Sequence, residues 1–246
     1  MDRWVHNAPH LPQVALGEAL FNAAFHDGPA GLAASTGMVI ATAGNRFSFS
    51  KLLQKFLEGL KHSLSGDLTH HVVIIGMGKG AKSICDGLNG RYSHHCVQST
   101  NWPGHDTEYN AGDAWHVVAE LHKLELILNI LTFGYSVVCV DVDTIFFRNP
   151  MHHLLSLQDH FPTWCSGPCG CKGSAKVVPV RFEKEENPSE GVRGGALECP
   201  EETVEQWLMF HYACTKSGAE KEVLMDISLA LLEEVTPIDI LITTGV

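Results

Sequence analysis

The chain has 246 residues, which is near the upper end for one α/β domain and short for two full domains. Hydrophobic residues make up 45%, as in an ordinary globular protein, whereas charged residues, at 18%, fall below the usual quarter. Lys and Arg total 17 and Asp and Glu total 28, so the net charge of −11 excludes a broad nucleic-acid-binding surface, and no nucleic-acid partner is expected.

The first half of the chain alternates between strand-like and helix-like segments. Runs of β-branched and apolar residues predict strands at residues 38–42 and 71–75, with a weaker strand near 96–99. Between the first two strands, a stripe of leucine and phenylalanine residues predicts a helix over residues 49–64. A glycine-rich turn at 76–80 ends the second strand. Strands that alternate with helices are typical of a parallel sheet.

The longest predicted helix begins near Asp113 and ends at Gly134. Its apolar face, predicted to pack on the core, consists of Val117, Leu121, Leu124, Leu128 and Leu131. Residues 136–140 follow as a central strand that is apolar on both faces and leads into Asp141. The predicted fold class is therefore α/β, with a mostly parallel central sheet flanked by helices on both sides.

The second half of the chain begins with a long excursion at residues 162–195, rich in Gly, Pro, Cys and charges, with one short strand at 176–182. Helices are predicted at 200–218 and 220–234, followed by a last strand at 238–242. The predicted organisation is an irregular N-terminal segment, residues 1–36, and a single domain, residues 37–246.

The cysteines and the N-terminus leave the cellular compartment open. Among eight cysteines, Cys165, Cys169 and Cys171 form the one tight cluster, which fits a disulfide, free thiols or half of a zinc site. The N-terminus lacks a signal pattern, and no run of 18 uninterrupted apolar residues occurs, so no membrane segment is expected in this chain. Either the protein stays in the cytosol or a targeting segment lies outside this sequence.

The sharpest chemical motif is Asp141-Val142-Asp143 at the end of a predicted strand. Two carboxylates two residues apart can point the same way, and hard divalent cations such as Mg²⁺ and Mn²⁺ prefer such oxygen ligands. The pair would be costly to bury between apolar segments without a counter-charge. The alternative is that both aspartates cap the following turn through local backbone bonds.

A second motif is the turn Gly76-Met77-Gly78-Lys79-Gly80. Its spacing is G-x-G-x-G rather than the G-x-G-x-x-G of dinucleotide-binding turns, and it does not fit a Walker loop either. The turn therefore either connects strand to helix without further function, or brings Lys79 or Lys82 to a phosphate.

Several segments together resemble one family. They are Lys123, residues 126–131, Gly134-Tyr135, residues 137–143 and Phe147-Arg148-Asn149-Pro150. Together they resemble the nucleotide-diphospho-sugar transferases of plants and algae. The pattern typical of that family is a helix with a Lys, a Gly-Tyr turn and an apolar strand ending in Asp-x-Asp, followed by an aromatic residue, Arg and Pro. That family includes retaining xylosyl- and arabinosyltransferases and has a GT-A-type, Rossmann-like fold. The close match covers about 30 residues, and a looser one covers most of residues 37–246.

The resemblance implies roles for individual residues. Asp141 would hold the ribose or a metal-bound water, and Asp143 would coordinate Mn²⁺, or Mg²⁺, bound to the diphosphate of the nucleotide sugar. The remaining implied residues are Thr42, Ala43 and Asn45 beside the nucleobase, Gly194 and Gly195 near the donor sugar, and Asp226 as a candidate catalytic residue. The implied donor is a UDP-sugar, and the implied acceptor is a glycan or glycoprotein.

The chain departs from the family pattern at three places. Arg193 stands where an Asn precedes the two glycines, and Ile227 replaces the Gln that follows the Asp matching Asp226. Family members also supply a metal-binding His from beyond the strand that matches residues 238–242. This chain does not reach that position, so the domain is expected to be truncated there unless another histidine, such as His211, substitutes.

The favoured hypothesis is a metal-dependent, retaining glycosyltransferase that moves a pentose or hexose from a nucleotide sugar to a glycan or glycoprotein. A non-catalytic relative that binds nucleotide sugar is the alternative, and an NAD(P)-binding oxidoreductase that uses the Gly76 turn is a third. By resemblance, the location is the Golgi lumen, although this chain carries no signal or anchor.

Overall fold

The computed structural model describes residues 13–25, 37–100, 102–108, 114–150, 175–177, 209–211 and 218–234. The cluster of Cys165, Cys169 and Cys171, the predicted strand at 238–242 and the implied donor-site residues Arg193, Gly194 and Gly195 lie outside the described residues.

A four-stranded parallel sheet forms the centre of the described structure. Its strands are β1 (Met38–Asn45), β2 (Val72–Met77), β3 (His95–Ser99) and β4 (Ser136–Cys139), in the order β3-β2-β1-β4. The predicted α/β class is confirmed, and a parallel sheet flanked by helices is consistent with the GT-A-type, Rossmann-like fold that the resemblance implies. The strand predicted to be central, β4, lies at one end of this sheet among the described strands.

Helices cover both faces of the sheet. They are α1 (Gln13–Ala24), a helical segment comprising Arg46–Ser48, a π-helical turn Phe49–Leu53 and α2 (Gln54–Lys61), a 3₁₀ turn Thr69–His71, α3 (Lys79–Asp86), α4 (Ala114–Thr132) and α5 (Gly218–Glu234). One core cluster joins the sheet to α2, α3 and α5, and the other joins it to α1 and α4. Alternate residues of β1, such as Ile40 and Val39, enter opposite clusters, as the pleat of a strand requires.

The N-terminal segment differs from its prediction. Residues 1–36 are predicted to be irregular, which is wrong for Gln13–Ala24, because these residues form α1. Leu16 and Leu20 are fully buried on the sheet, and Gly17 lets the Phe133 ring approach closely. Alanines and a glycine give this helix a weak apolar pattern, so packing on the sheet decides its structure. The domain boundary at residue 37 stays a prediction.

The longest helix, α4, packs with a different face from the predicted one. The five residues of the predicted apolar face are 47–61% exposed: Val117, Leu121, Leu124, Leu128 and Leu131. The buried residues of α4 are Ala119, His122, Leu126 and Ile130. The helix carries apolar residues on more than one side, so the period of the pattern alone does not select the packing face. Gly134 ends the helix as predicted, with a φ of +83° that favours glycine.

A second, antiparallel sheet follows the main one. Its strands are β5 (Thr144–Phe146), β6 (Ala175–Val177) and β7 (Met209–His211), in the order β5-β7-β6. The short strand predicted at 176–182 overlaps β6. The helix predicted over 200–218 is wrong at Met209–His211, because these residues pair with β5 and β6. Local periodicity does not detect such long-range pairing, whereas the helix predicted at 220–234 is confirmed by α5.

A disulfide joins the end of α3 to β3. Cys85 and Cys96 are 11 residues apart in sequence, and their Cα atoms are 6.0 Å apart. Cys85 is fully buried. The disulfide therefore fixes α3 against the sheet directly behind the glycine-rich turn.

Candidate functional site

The carboxyl ends of the parallel strands bring most of the predicted site residues to one edge of the sheet. β1 ends at Asn45, and the chain leaving β4 continues to Asp141. Ala41 and Cys139 are paired across β1 and β4, so Ala43 and Asp141 each lie two residues beyond that pair. Ligands of open parallel sheets bind at this edge.

Asp143 is buried and has a lysine as counter-ion. The residue is only 4% exposed and lies in a buried segment that includes the core residues Val142 and Ile145. Lys221, from the first turn of α5, donates from its Nζ to the Asp143 Oδ2 at 2.5 Å. A carboxylate in such apolar surroundings needs a counter-charge, and the Lys221 ammonium supplies it.

Asp141 pairs with a second lysine, on α4. The Lys123 Nζ lies 2.7 Å from the Asp141 Oδ1 and 2.7 Å from the Glu120 Oε1. Burial by itself would lower the pKa of Lys123, but the carboxylates of Asp141 and Glu120 raise it above its ordinary value. Both aspartates thus bind cationic groups from other elements, so turn-capping alone does not account for their contacts.

A cleft of about 220 Å³ lies beside Asp141, between α4 and β4. Its lining consists of Glu120, Lys123, Leu124, Ile127, Cys139, Val140, Asp141 and Thr144. Ligand pockets commonly measure about 300–1,000 Å³, so this cleft forms only part of a site for a nucleotide sugar. Desolvation and the nearby Asp141 carboxylate raise the pKa of the Cys139 thiol to about 11, so the thiol stays protonated at neutral pH.

The residues predicted beside the nucleobase lie at the end of β1. Asn45 Nδ2 donates to the carbonyl oxygens of His105 (3.2 Å) and Thr107 (2.8 Å), and its Oδ1 accepts from the backbone N–H of Ser48 (3.0 Å). Asn45 therefore caps the following helical segment and also anchors the loop 102–108 over this edge. Thr42 is 1% exposed.

The glycine-rich turn is packed by protein groups on three sides. A Cβ at Gly76 would lie 2.7 Å from the backbone nitrogen of Lys82, and one at Gly80 would lie 2.6 Å from the Arg46 side chain. Gly78 has a φ of +90° and faces Asp106 and Trp102. These contacts favour the interpretation of the turn as a close connection between β2 and α3. Lys82 pairs with Asp86 at 2.6 Å.

Gly76→Ala is expected to lower the free energy of unfolding by about 1–3 kcal/mol, because the added methyl group collides with the α3 backbone. Urea denaturation at neutral pH measures this loss. Gly90→Ala is the matched control, because a Cβ there meets no atom within 4 Å. Equal stabilities for the two variants would contradict the packing described for the turn.

Residues 68–163 match a family model described as nucleotide-diphospho-sugar transferase. This match supports the family that the sequence resembles. The matched segment contains the glycine-rich turn, Asp141 and Asp143. The family description indicates a nucleotide-sugar transferase, with a nucleotide sugar as the donor. No curated protein and no solved structure gives a significant match to the chain.

Two features of this region are absent from the sequence prediction. Lys221 lies in a predicted helix without any motif, and only the fold brings it to Asp143. Ser99, at the end of β3, makes a 2.8 Å hydrogen bond to the ring of His122 on α4, and both residues are buried. The Trp102 ring packs on His122, so this pair supports the start of the loop 102–108. Buried polar pairs between distant segments leave no local sequence signal.

Asp226, the implied catalytic residue, lies on α5 with a side chain that is 58% exposed. It forms an ion pair with Lys55 of α2. The described contacts thus join Lys221, rather than Asp226, to the Asp-x-Asp motif. The role of Asp226 stays a prediction, as do those of Gly194 and Gly195, which lie outside the described residues.

Within the described ranges, the one group of three potential metal ligands with donor atoms within 4.8 Å of one another is Cys85, His94 and Cys96. Its two sulfurs are bonded to each other. Near the Asp-x-Asp motif, the pairing of β5 with β7 brings the His211 backbone alongside Thr144, which directly follows Asp143. None of the described helices has the length and apolar character that crossing a membrane requires.

Proposed function

We propose that this protein is a metal-dependent glycosyltransferase that moves a pentose or hexose from a UDP-sugar to a glycan or glycoprotein with retention of anomeric configuration. The buried Asp143, beside Asp141 at the carboxyl edge of a parallel sheet, carries the proposal. The family match over residues 68–163 supports it, because that segment holds both aspartates.

The donor atoms at this edge fit Mn²⁺ or Mg²⁺. Asp141 and Asp143 offer carboxylate oxygens, the ligands that hard divalent cations prefer. We propose His211 as a further ligand in place of the histidine that the family supplies from nearer its C-terminus. The β-ladder brings the backbone of His211 to Thr144, the residue after Asp143, at the start of β5.

Each group at this edge would have a separate role in sugar transfer. A bound divalent cation supplies Lewis-acid stabilisation of the departing diphosphate. Asp143 would hold that cation, and Asp141 would bind the ribose or a water on the cation. Lys123, whose pKa is raised by the Asp141 and Glu120 carboxylates, orients the Asp141 carboxylate through its hydrogen bond. The charge that develops on the leaving group is thus met by preorganised groups at a partly buried site.

The nucleotide would lie along the ends of β1 and β2. Thr42 and Ala43 border the base, and Asn45 shapes this side of the site through the loop 102–108, whose carbonyl oxygens it binds. Gly194 and Gly195 would approach the donor sugar, and Asp226 would act at the reacting sugar, as the resemblance implies.

Calorimetric titration of UDP into the protein, with and without Mn²⁺, tests the donor site. We expect binding only with Mn²⁺, followed by transfer in a screen of UDP-sugars and glycan acceptors. Mn²⁺-dependent UDP binding without transfer to any acceptor would favour a non-catalytic relative instead. Binding of NAD(P) without metal would favour an oxidoreductase.

We propose the Golgi lumen as the location. The Cys85–Cys96 disulfide supports this proposal, because such bonds persist in oxidising compartments.

Reduction of the Cys85–Cys96 disulfide is expected to lower the free energy of unfolding by about 2–4 kcal/mol, because the bond restricts the unfolded chain. Urea denaturation with and without a thiol reductant measures the effect, and the Cys85→Ala/Cys96→Ala double variant, which lacks this bond, is the control that subtracts any effect of reductant on other cysteines.

Differential alkylation and mass spectrometry of the protein from its own cells tests the location. The disulfide should be intact in the material as isolated. Free Cys85 and Cys96 thiols in that material would contradict a luminal location.

A further inference from the structure

Lys221 lies on the core-facing side of α5. The buried side of this helix carries Met225, Ser228 and Leu232, which follow Lys221 at helical spacing on the same side. Lys221 thus continues the core-facing stripe, and its half-buried side chain extends to Asp143. Glu222, on an adjacent face, pairs with Lys51 at 3.9 Å. The ion pairs of α5 with the neighbouring helical segment orient Lys221 toward the aspartate.

The contact places an ammonium group at the carboxylate that the proposed metal needs. The Asp143 Oδ2 is already within 2.5 Å of the Lys221 Nζ. A divalent cation bound to the same oxygen would lie only a few ångströms from the ammonium, where like charges repel strongly at the low dielectric of a partly buried site. Metal and lysine therefore compete for this carboxylate.

Lys123 and Lys221 differ in how firmly their carboxylate partners hold them in place. Lys123 is held by two carboxylates, those of Asp141 and Glu120, which favour its charged form in place. In the described part of the chain, Lys221 pairs with the Asp143 carboxylate alone and lies in the first turn of its helix. A change of side-chain rotamer is enough to withdraw it.

We propose that Lys221 is an internal counter-ion of Asp143 that a divalent cation displaces, and that the displaced ammonium then binds the diphosphate of the donor. The second half of this inference rests on the proposed function, whereas the competition for Asp143 does not. Lys221 would thus keep the buried carboxylate compensated before metal binding and add positive charge at the leaving group afterwards.

Titration with Mn²⁺ alone tests the competition. Electron paramagnetic resonance follows the loss of the free Mn²⁺ signal in the wild-type protein, Lys221→Met and Lys51→Met. We expect Lys221→Met to bind Mn²⁺ about tenfold or more tightly than the wild type. Lys51→Met loses the same charge and a different contact to α5, so its Mn²⁺ affinity should stay within about twofold of the wild type.

Lys221→Arg is the control for a purely structural effect of substituting Lys221. It retains the competing positive charge, so its Mn²⁺ affinity should remain near that of the wild type. Thermal unfolding followed by circular dichroism establishes which variants are folded, and Lys221→Gln replaces Lys221→Met if the latter is not. An affinity of the folded neutral variant equal to that of the wild type would overturn the inference.

Titration of UDP at saturating Mn²⁺ tests the second half. UDP should bind Lys221→Met about five- to tenfold more weakly than the wild type and Lys51→Met equally well. Unchanged UDP affinity in Lys221→Met would overturn the diphosphate contact. Tighter Mn²⁺ binding by Lys221→Met, with no UDP binding by the wild type, would instead refute the proposed donor site and leave the competition standing.

Discussion

Asp143→Asn is expected to lower the rate of sugar transfer by about a hundredfold or more. The substitution keeps the shape of the side chain but removes the negative charge that would hold the divalent cation against the leaving diphosphate. Because Asp143 is buried, solvent screens the loss of this charge only weakly. Transfer from a UDP-sugar at saturating Mn²⁺ measures the rate, and calorimetry with UDP should show loss of metal-dependent binding.

Asp86→Asn is the matched control for this experiment. Asp86 also pairs with a lysine, Lys82, but its side chain is well exposed on α3. The same loss of charge there should leave transfer within about twofold of the wild type. Sugar transfer that survives Asp143→Asn at the wild-type rate would refute the assignment of the metal site to this aspartate.

Phe146→Ala is expected to lower the free energy of unfolding by about 3–5 kcal/mol. Phe146 is fully buried in β5, and its ring meets that of Phe56 edge-on, with centroids 6.2 Å apart. Truncation removes this contact and leaves a cavity at the junction of the two sheets with α2. Urea denaturation, with the slope compared between variants, measures the loss.

Phe21→Ala provides the comparison for the core variant. Phe21 is also a phenylalanine on a regular element, but it is mostly exposed on α1. Its removal should cost less than about 1 kcal/mol. Equal losses for Phe21→Ala and Phe146→Ala would contradict the core described around β5.

The Asp-x-Asp motif illustrates what sequence can predict about a site. An apolar strand followed by two aspartates indicates carboxylates at a strand end, and the structure has both residues directly after β4. Lys123, which pairs with Asp141, is among the residues that carry the resemblance, but the counter-ion of Asp143 was not predictable in the same way. Lys221 is 78 residues from Asp143, and nothing in the local pattern of α5 distinguishes it from a solvent-exposed lysine.

Asn45 likewise has a position that the sequence predicts and contacts that it does not. Its position at the end of β1 follows from the strand pattern, and the resemblance places it beside the nucleobase. Its two hydrogen bonds to the loop 102–108 join residues about 60 positions apart. Such bonds depend on how the loop returns across the sheet, which no local spacing encodes.

The sequence by itself determined the α/β class, the order of the parallel strands from β1 to β4 and the end of α4 at Gly134, and it carries the resemblance to the nucleotide-diphospho-sugar transferases. These features depend on local periodicity, backbone preference and short motifs. Only the tertiary structure decided that α4 packs through His122 and Leu126, that Gln13–Ala24 forms a helix, and that Met209–His211 forms a strand. Each of these outcomes depends on surfaces supplied by distant parts of the chain, and burial against those surfaces outweighs weak or ambiguous local preferences.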